Sequence, residues 1–269
     1  LAGLACLYNL DGTLYFNGCV EETDYLDVIA APEHAEATWT AVFQTLCADT
    51  LPAWHAISLC NVPQASPSRQ IVPRLAAQHG LTFAESIHEV CPVIPLPDSF
   101  DAYLDSIDSK QRREVLRKIR RARGADAQLI VVGADDDVAA AVDDFLELLA
   151  QSTLEKRDWL NAGRRAVFHE TARAAQADGT LLLMFVEVNG QKASALFNFD
   201  YNNHVLVYNS GLDPASFGKL SLGEVLTAWA IQWAIENGRA TFDFLRGNEA
   251  YKYRFGAQDT MVYKLQLAR

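Results

Sequence analysis

Short runs of alternating apolar and polar residues fill the first hundred positions, a pattern typical of strands joined by turns. Runs at residues 4–9 and 14–19 flank Asp11-Gly12 and predict a β-hairpin. The pattern then predicts a strand at 24–29, a helix from about Pro32, a strand at 56–62, a helix at 68–79 and a strand at 88–94. Pro92, Pro95 and Pro97 interrupt the chain after this last strand and indicate a boundary.

Longer helical periods appear beyond that boundary. They predict helices at 99–107, 110–123, 135–151, 164–176 and 221–237. Between them lie strand patterns at 128–132, 181–188, 193–200, 204–210, 241–245 and 260–266. Asn189-Gly190 favours a tight hairpin between two of these strands.

Both halves contain antiparallel strands, then a helix of similar length, then a short strand. We interpret this as two α+β units with mostly antiparallel sheets flanked by helices. The expected units are residues 1–98 and 99–269, and the second includes the helix at 110–123. The chain begins Leu1-Ala2-Gly3 in strand-like sequence, so we expect the first unit to be truncated at its start.

Composition narrows the function classes. The 269 residues are 50% hydrophobic and carry a net charge of −11, which excludes a disordered chain and a generally basic nucleic-acid-binding surface. No apolar run reaches the 18 residues of a membrane span, and we expect a cytoplasmic protein. Residues 110–123 nevertheless hold eight Lys or Arg and one Glu. This helix is either solvated against acidic neighbours or a contact for RNA phosphates.

The five cysteines are Cys6, Cys19, Cys47, Cys60 and Cys91. They are widely spaced, odd in number and set in apolar stretches, so we expect unpaired thiols. The six histidines are scattered, and no pair has the spacing of metal ligands. We therefore expect no metal site.

A helix start is predicted at Ser221. Ser221 and Glu224 have the spacing of a capping box, which would leave first-turn amides able to bind a diphosphate. Lys219 adds a positive charge, and Gly218 and Gly223 permit close approach of a ligand. The alternative is an ordinary capped helix, and the segment is not a Walker loop.

Candidate catalytic and binding residues are densest in the segment 242–256. Asp243 lies on a strand between two phenylalanines, where a carboxylate needs partners. Arg246, Lys252 and Arg254 are candidate partners, and Gly247 permits a turn that returns Glu249 toward the strand. The segment is either a structural Asp–Arg pair or a ligand site at the strand end.

Three motifs here resemble a known family. They are Tyr208-x-Ser210-Gly211-x-Asp213-Pro214, the helix opening Ser221-Leu222-Gly223, and Phe242-Asp243-Phe244-Leu245-Arg246-Gly247-x-Glu249-x-Tyr251-Lys252. They are similar to the acetyltransferase domain associated with the cellulose-biosynthesis protein CelD. That family belongs to the GNAT superfamily and is related to FemAB-type peptidyltransferases. The resemblance covers about residues 100–256.

The resemblance implies two GNAT-like units in tandem and transfer of an acyl group to an amine. Acyl-CoA is the implied co-substrate, and the acceptor is a small molecule, a saccharide or an envelope precursor. Donor-binding residues are then Ser210, Gly211, Lys219, Ser221, Leu222 and Gly223. One feature departs from the family: the usual pyrophosphate loop, Gln/Arg-x-x-Gly-x-Gly/Ala, is missing.

The resemblance also suggests roles in the chemistry. Glu249 and Asp243 position the amine or act as general base, and Tyr208 or Tyr251 protonates the leaving group. The substrate-binding candidates are Arg246, Tyr251 and Lys252. We expect one cleft to hold these groups, with Asp243 more buried than Glu249. Two alternatives stay open: transfer from aminoacyl-tRNA, and a non-catalytic GNAT-fold protein in polysaccharide biosynthesis. The oligomeric state is not determined by these patterns.

Overall fold

The structure is a computed structural model that describes residues 1–18, 22–48 and 51–269. The helices described are α1 (Ala35–Cys47), α2 (Ser68–Gln78), α3 (Phe100–Ser106), α4 (Ser109–Arg123), α5 (Val138–Ser152), α6 (Leu154–Trp159), α7 (Ala162–Ala177), α8 (Pro214–Phe217), α9 (Leu222–Glu236) and α10 (Ala250–Arg254). The strands described are β1 (Gly3–Leu4), β2 (Leu7–Leu10), β3 (Thr13–Phe16), β4 (Ile29–Ala30), β5 (Ala56–Pro63), β6 (Thr82–Pro95), β7 (Gln128–Val131), β8 (Leu181–Val188), β9 (Gln191–Tyr201), β10 (His204–Leu212), β11 (Thr241–Asp243) and β12 (Gln258–Ala268).

The chain divides into two compact units. The first contains Leu1–Cys91, Arg246–Asn248 and Asp259–Arg269, and the second contains Pro92–Leu245 and Glu249–Gln258. Each has its own hydrophobic core. The reading of both as GNAT-like units stays a prediction.

In the first unit the strands follow the order β2-β3-β5-β12-β6. β3 and β5 are parallel and are joined through α1, whereas β5 and β12 are antiparallel. The apolar face of α1 packs Trp39, Phe43 and Leu46 into the core. These are the residues at helical spacing in the sequence, so the helix forms where its apolar stripe can be buried.

In the second unit the strands follow the order β11-β10-β9-β8-β7. β7 to β10 are antiparallel, and β10 pairs in parallel with β11 through α9. Helices α3, α4 and α9 pack on one core, which contains Leu196 and Val207. Helices α5 and α7 pack on the other core, which contains Ala195 and Phe197. Since neighbouring residues of a strand point to opposite faces, the two helix groups cover opposite faces of the sheet.

The α+β class with helices around a mostly antiparallel sheet is therefore confirmed. A strand, a helix and a second strand recur in both units, and in each the two strands are parallel. Parallel neighbours need a crossover connection, and the helix supplies it.

The strand predicted at 24–29 is wrong for most of its length. Only Ile29 and Ala30 form a strand, paired with Gly3 and Leu4. The preceding backbone instead bonds to Asn61: the Leu26 N–H donates to its carbonyl, and its side-chain amide donates to the Thr23 carbonyl. These hydrogen bonds pair backbone groups of the segment without a neighbouring strand. Part of the strand predicted at 14–19 lies outside the described residues.

The expectation of five unpaired cysteines is also wrong, because Cys60 is disulfide-bonded. Cys6 and Cys47 are free and exposed, Cys91 is buried, and Cys19 lies outside the described residues. Pairing depends on which strands and turns meet in space, and cysteine spacing along a chain does not reveal this. In the part of the chain that the structure describes, no helix combines the length and apolarity needed to cross a membrane.

Candidate functional site

The parallel pair of the second unit separates after three residues. His204–Leu206 of β10 pair with Thr241–Asp243 of β11, and then β11 ends. β10 continues to Leu212 through an irregularity between Val207 and Asn209. The two strands diverge because this bulge bends one of them while the other leaves the ladder.

A cavity of about 200 Å³ occupies the space beside the diverging strands. Its lining residues are Ser194, Leu196, Val207, Ser210, Gly211, Leu212, Gly223, Glu224, Thr227, Phe242, Phe244 and Tyr251. Most of the wall is apolar, with polar atoms near the start of α9. Of the predicted site residues, Ser210, Gly211, Gly223 and Tyr251 lie here together. A wider depression of about 680 Å³ over α5 and α6 is lined largely by polar and charged side chains.

Helix α9 begins at Leu222, next to the predicted start, but the capping box does not form. Ser221 has left-handed backbone angles (φ 57°, ψ 45°), and its side chain makes no capping hydrogen bond. Its hydroxyl lies 3.3 Å from Arg121 Nη2 of α4. The Glu224 carboxylate pairs with Lys118 Nζ at 2.5 Å. The predicted capping box is absent because side chains of α4, rather than backbone amides of α9, contact Ser221 and Glu224.

These contacts change the electrostatics of the helix start. Lys118 compensates the negative charge of Glu224, and Arg121 brings a second positive charge to the first turn. Lys219 is exposed in the preceding 3₁₀ turn, Gly218–Leu220. Leu222 is buried in the core, so its side chain anchors the helix. A helix start with cations beside it is suited to an anionic group.

The two cavity glycines have different surroundings. A Cβ on Gly211 would lie 2.6 Å from the Leu149 nitrogen and 2.8 Å from the Leu148 carbonyl carbon, both in the backbone of α5. A Cβ on Gly223 would meet only the end of the Leu212 side chain, at 3.7 Å. Gly211 therefore allows a helix to approach β10, whereas Gly223 leaves space in the cavity.

The end of β11 is held by buried polar groups. Asp243 is 5% exposed, and its Oδ1 accepts a hydrogen bond of 2.7 Å from the Leu245 N–H. Lys252 is 2% exposed and lies 3.2 Å from the Phe244 carbonyl oxygen. The expectation that Asp243 is more buried than Glu249 is confirmed, since the Glu249 side chain is 58% exposed. Asp243 and Lys252 do not line the cavity in the described structure.

Glu249 and Tyr251 lie at the start of α10. Glu249 Oε2 is 2.9 Å from Lys252 Nζ. Tyr251 lines the cavity and packs edge-on against Phe244, with ring centroids 5.9 Å apart. Burial, helped by the charge of Glu249, raises the pKa of Tyr251 to about 12. Tyr251 is therefore a protonated phenol at neutral pH, able to donate its proton.

Two predicted residues lie elsewhere. Tyr208 packs against Phe168, Phe197 and Phe199 in the core under α5 and α7, on the face opposite the cavity. Arg246 belongs to the first unit, where its Nε lies 2.6 Å from Asp24 Oδ1. The expected single cleft thus gathers only part of the predicted set.

Sequence reasoning missed Lys156. Its Nζ lies 2.7 Å from the Ser210 carbonyl oxygen and 3.3 Å from Asn209 Oδ1. Burial lowers the pKa of Lys156, while the charge of Glu249 acts in the opposite direction. The residue lies on a six-residue helix without clear periodicity, 54 positions before its partner, so no local pattern marks it.

Among residues 1–18, 22–48 and 51–269, no cluster of three or more His, Cys, Asp or Glu could hold a metal ion. Of the ionisable groups, Glu224 and Tyr251 line the cavity, and Lys156 contacts the backbone of the cavity residue Ser210. Burial shifts the pKa of Tyr251 and of Lys156, and ionisable side chains with shifted pKa values near a cavity are typical of a functional site.

The site thus consists of a helix start beside diverging parallel strands within an α+β unit. Residues 109–253 match the family model of the acetyltransferase (GNAT) domain, and the chain belongs to this family. No curated protein sequence matches the chain.

Solved structures support the same fold. FemX is similar over 98% of this chain and 84% of its own, with a TM-score of 0.68 and 12% identity. The C-terminal domain of a protein from Agrobacterium fabrum, named as a lysylphosphatidylglycerol synthetase, matches 100% of this chain and 81% of its own (TM-score 0.66, 11% identity). L-PGS from Bacillus licheniformis matches 98% and 80% (TM-score 0.65, 8% identity). At these identities the likeness establishes the fold alone.

Proposed function

We propose that this protein is an acyl-CoA-dependent N-acyltransferase. The acceptor is an amine on a small molecule, a sugar or an envelope or polysaccharide precursor, as the CelD-type resemblance suggests. The observation that carries the proposal is the cavity beside the diverging strands, which is lined in part by the start of α9. An extended acyl carrier fits such a gap, with its diphosphate at the helix start.

The donor side uses Ser210, Gly211, Lys219, Ser221, Leu222 and Gly223. Two cations of α4, Lys118 and Arg121, lie beside the start of α9, where the diphosphate would bind. Their positive charges would serve in place of the missing pyrophosphate loop. Gly223 keeps the first turn open to a ligand. Leu222 contributes its backbone, since its side chain is buried. Acyl-CoA supplies an activated acyl group, and no metal is required.

On the acceptor side, Glu249 binds the ammonium group of the amine. Its exposed carboxylate is reachable from solvent, which suits a group that meets an incoming cation. Tyr251, with its pKa near 12, protonates the leaving thiolate. It is better located for this than Tyr208, which packs on the other face. Asp243 and Lys252 hold the strand end that carries these groups.

The test has two readouts. Acetyl-CoA should raise the melting temperature of the wild-type protein, because a ligand that binds only the native state stabilises it. Glu249→Gln should preserve this shift and raise the KM for the amine about tenfold or more. The matched control is Glu170→Gln, which also removes a carboxylate from an i,i+3 ion pair. Absence of an acetyl-CoA shift in the wild type would contradict the proposed donor.

A second candidate is an aminoacyl-tRNA-dependent, Fem-like transfer. It is favoured by the exposed basic residues on α4, namely Lys110, Arg113, Arg117, Arg120, Arg121 and Arg123. Binding of tRNA would fall steeply between 50 and about 200 mM salt, whereas acetyl-CoA binding would change less. Strong, salt-sensitive tRNA binding without an acetyl-CoA shift would favour this candidate. If neither ligand binds, the non-catalytic alternative is favoured.

We place the reaction in the cytoplasm, where acyl-CoA is supplied. The disulfide at Cys60 is unusual for that compartment, because cytosolic proteins rarely keep structural disulfides. Free-thiol counting on protein isolated under non-reducing conditions tests the placement. A fully bonded Cys60 would argue for an oxidising compartment.

A further inference from the structure

Lys156 reaches strand β10 at the point where the strand bends. It lies on α6, whose first turn is capped by Thr153 Oγ1, 3.1 Å from the Lys156 backbone nitrogen. From there the side chain extends to Asn209 and Ser210. The cap and the two side-chain contacts hold the amine in one place.

The lysine approaches from the face opposite the cavity. Asn209 pairs with Phe197, which belongs to the core under α5 and α7, and Ser210 pairs with Leu196, which lines the cavity. Leu160, just after α6, is buried in that same opposite core. Lys156 therefore bonds to the backbone of a cavity residue without occupying the space proposed for the donor.

We propose that Lys156 is the general base that removes a proton from the acceptor amine. This inference rests on the acyltransferase function proposed above. The acceptor ammonium loses one proton to Nζ, and its nitrogen then forms a bond to the acyl carbon. The carbon–sulfur bond breaks with its electron pair on sulfur, and a second proton from the nitrogen neutralises the thiolate, relayed by Tyr251. Nζ then releases its proton to solvent.

The hydrogen bonds of Lys156 are compatible with the neutral form of its amine. A neutral amine has two N–H groups and one lone pair, and Nζ has two acceptors, the Ser210 carbonyl and Asn209 Oδ1. The lone pair then remains for a substrate proton. Burial also favours the neutral form. Among the described residues, Glu249 is the ionisable group whose charge acts on Lys156, and it partly opposes this effect.

Other groups are less suited to this step. Lys252 is 2% exposed and contacts the carbonyls at the end of β11. Asp243 is similarly buried and accepts a backbone hydrogen bond. Glu249 is exposed and ion-paired, and it suits binding of the ammonium rather than its deprotonation.

The test compares Lys156→Met and Lys156→Arg with Lys192→Met. Arginine retains the hydrogen-bond donors but cannot accept a proton near neutral pH. Lys192 is another partly buried, bonded lysine of the second unit and serves as the matched control. Transfer from acetyl-CoA is followed by thiol release with a panel of amino sugars, amino acids and polyamines. Acetyl-CoA binding is followed by thermal shift.

We expect both Lys156 variants to bind acetyl-CoA like the wild type and to lose about 100-fold or more in kcat. Each should also lose the acidic limb of the kcat/KM profile against pH, while Lys192→Met keeps both. Wild-type kcat in Lys156→Arg would overturn the proposal, since a lone pair is then not needed. The same holds if Lys156→Met keeps wild-type activity.

A labelling experiment separates this inference from the proposed function. Trinitrobenzenesulfonate reacts only with neutral amines, and peptide mass spectrometry reports the extent of reaction at each lysine as pH is varied. We expect the reaction midpoint of Lys156 to lie at lower pH than that of exposed Lys219. A midpoint equal to that of Lys219 overturns the base assignment. If no amine supports transfer in the wild type, the proposed function fails, and labelling still decides the protonation state of Lys156.

Discussion

The chain contains two parallel strand pairs, each joined by a helix, and they differ in what fills the space beside that helix. In the first unit β3 and β5 pair over three residues, and in the second β10 and β11 also pair over three. A helix of 13 or 15 residues connects the strands of each pair. The second pair has a cavity beside its helix. In the first pair, buried aromatic side chains pack beside the helix.

Trp39 accounts for much of the difference. It is 2% exposed, lies against Phe16 at the end of β3, and donates a hydrogen bond of 2.6 Å from its indole nitrogen to Ser68. In the second unit the first turn of the helix has Gly223, and β10 bends where β3 simply ends. Side-chain volume near the helix start therefore decides whether the motif becomes core or cavity.

Removing the indole tests this interpretation with the largest expected effect. Trp39→Ala should lower the free energy of unfolding by about 3–5 kcal/mol, because a large buried ring leaves a cavity and loses its contacts. Chemical denaturation measures the change, and Trp39→Phe is a milder control. If the first pair is only structural, acetyl-CoA should bind a folded Trp39→Phe variant as it binds the wild type. Weaker binding there would contradict a purely structural role.

A methyl group on Gly211 should have the next largest effect. Gly211→Ala places a carbon 2.6 Å from backbone nitrogen, so α5 or β10 must shift. We expect a loss of about 1–3 kcal/mol, the usual cost of overpacking. Urea denaturation measures it. A variant as stable as the wild type would show that the close contact between α5 and β10 is not needed.

Gly223→Ala should act in the opposite direction on stability. The new methyl makes only an ordinary contact with Leu212, and alanine favours a helix over glycine by about 0.5–1 kcal/mol. We therefore expect a slightly more stable protein with weaker acetyl-CoA binding, because the methyl enters the cavity. Calorimetric titration gives the affinity. Unchanged binding would place the donor away from the first turn of α9.

The helix and strand order could be predicted from the sequence, because apolar spacing alone indicates which faces are buried. Residues 110–123 form a helix that buries Val115 and Ile119, as their spacing predicts. Long-range partners could not be predicted. The Ser221–Glu224 spacing indicates a capping box, yet two α4 side chains reach these residues across 100 and 106 positions of the sequence. Lys156 was missed for the same reason, since its importance comes from a distant carbonyl.

The last prediction concerns the cost of burying Lys156 beside the diverging strands β10 and β11. Because the pKa of Lys156 is lowered in the folded state, the native chain binds fewer protons than the unfolded chain between that pKa and the ordinary value of 10.5. Stability should therefore rise with pH through this window, by at most about 1.4 kcal/mol for each pH step of one. Below this pH window, the full free-energy cost of the buried ammonium applies.

Lys156→Met removes this contribution, so its stability should exceed that of the wild type most at low pH and converge with it as pH rises. Denaturation at pH 7, 8 and 9 measures the difference, in which the titrations of other groups cancel. If the curves of stability against pH were parallel for Lys156→Met and the wild type, the Lys156 amine would be as well solvated as that of a surface lysine. Burying it beside β10 would then cost no electrostatic free energy.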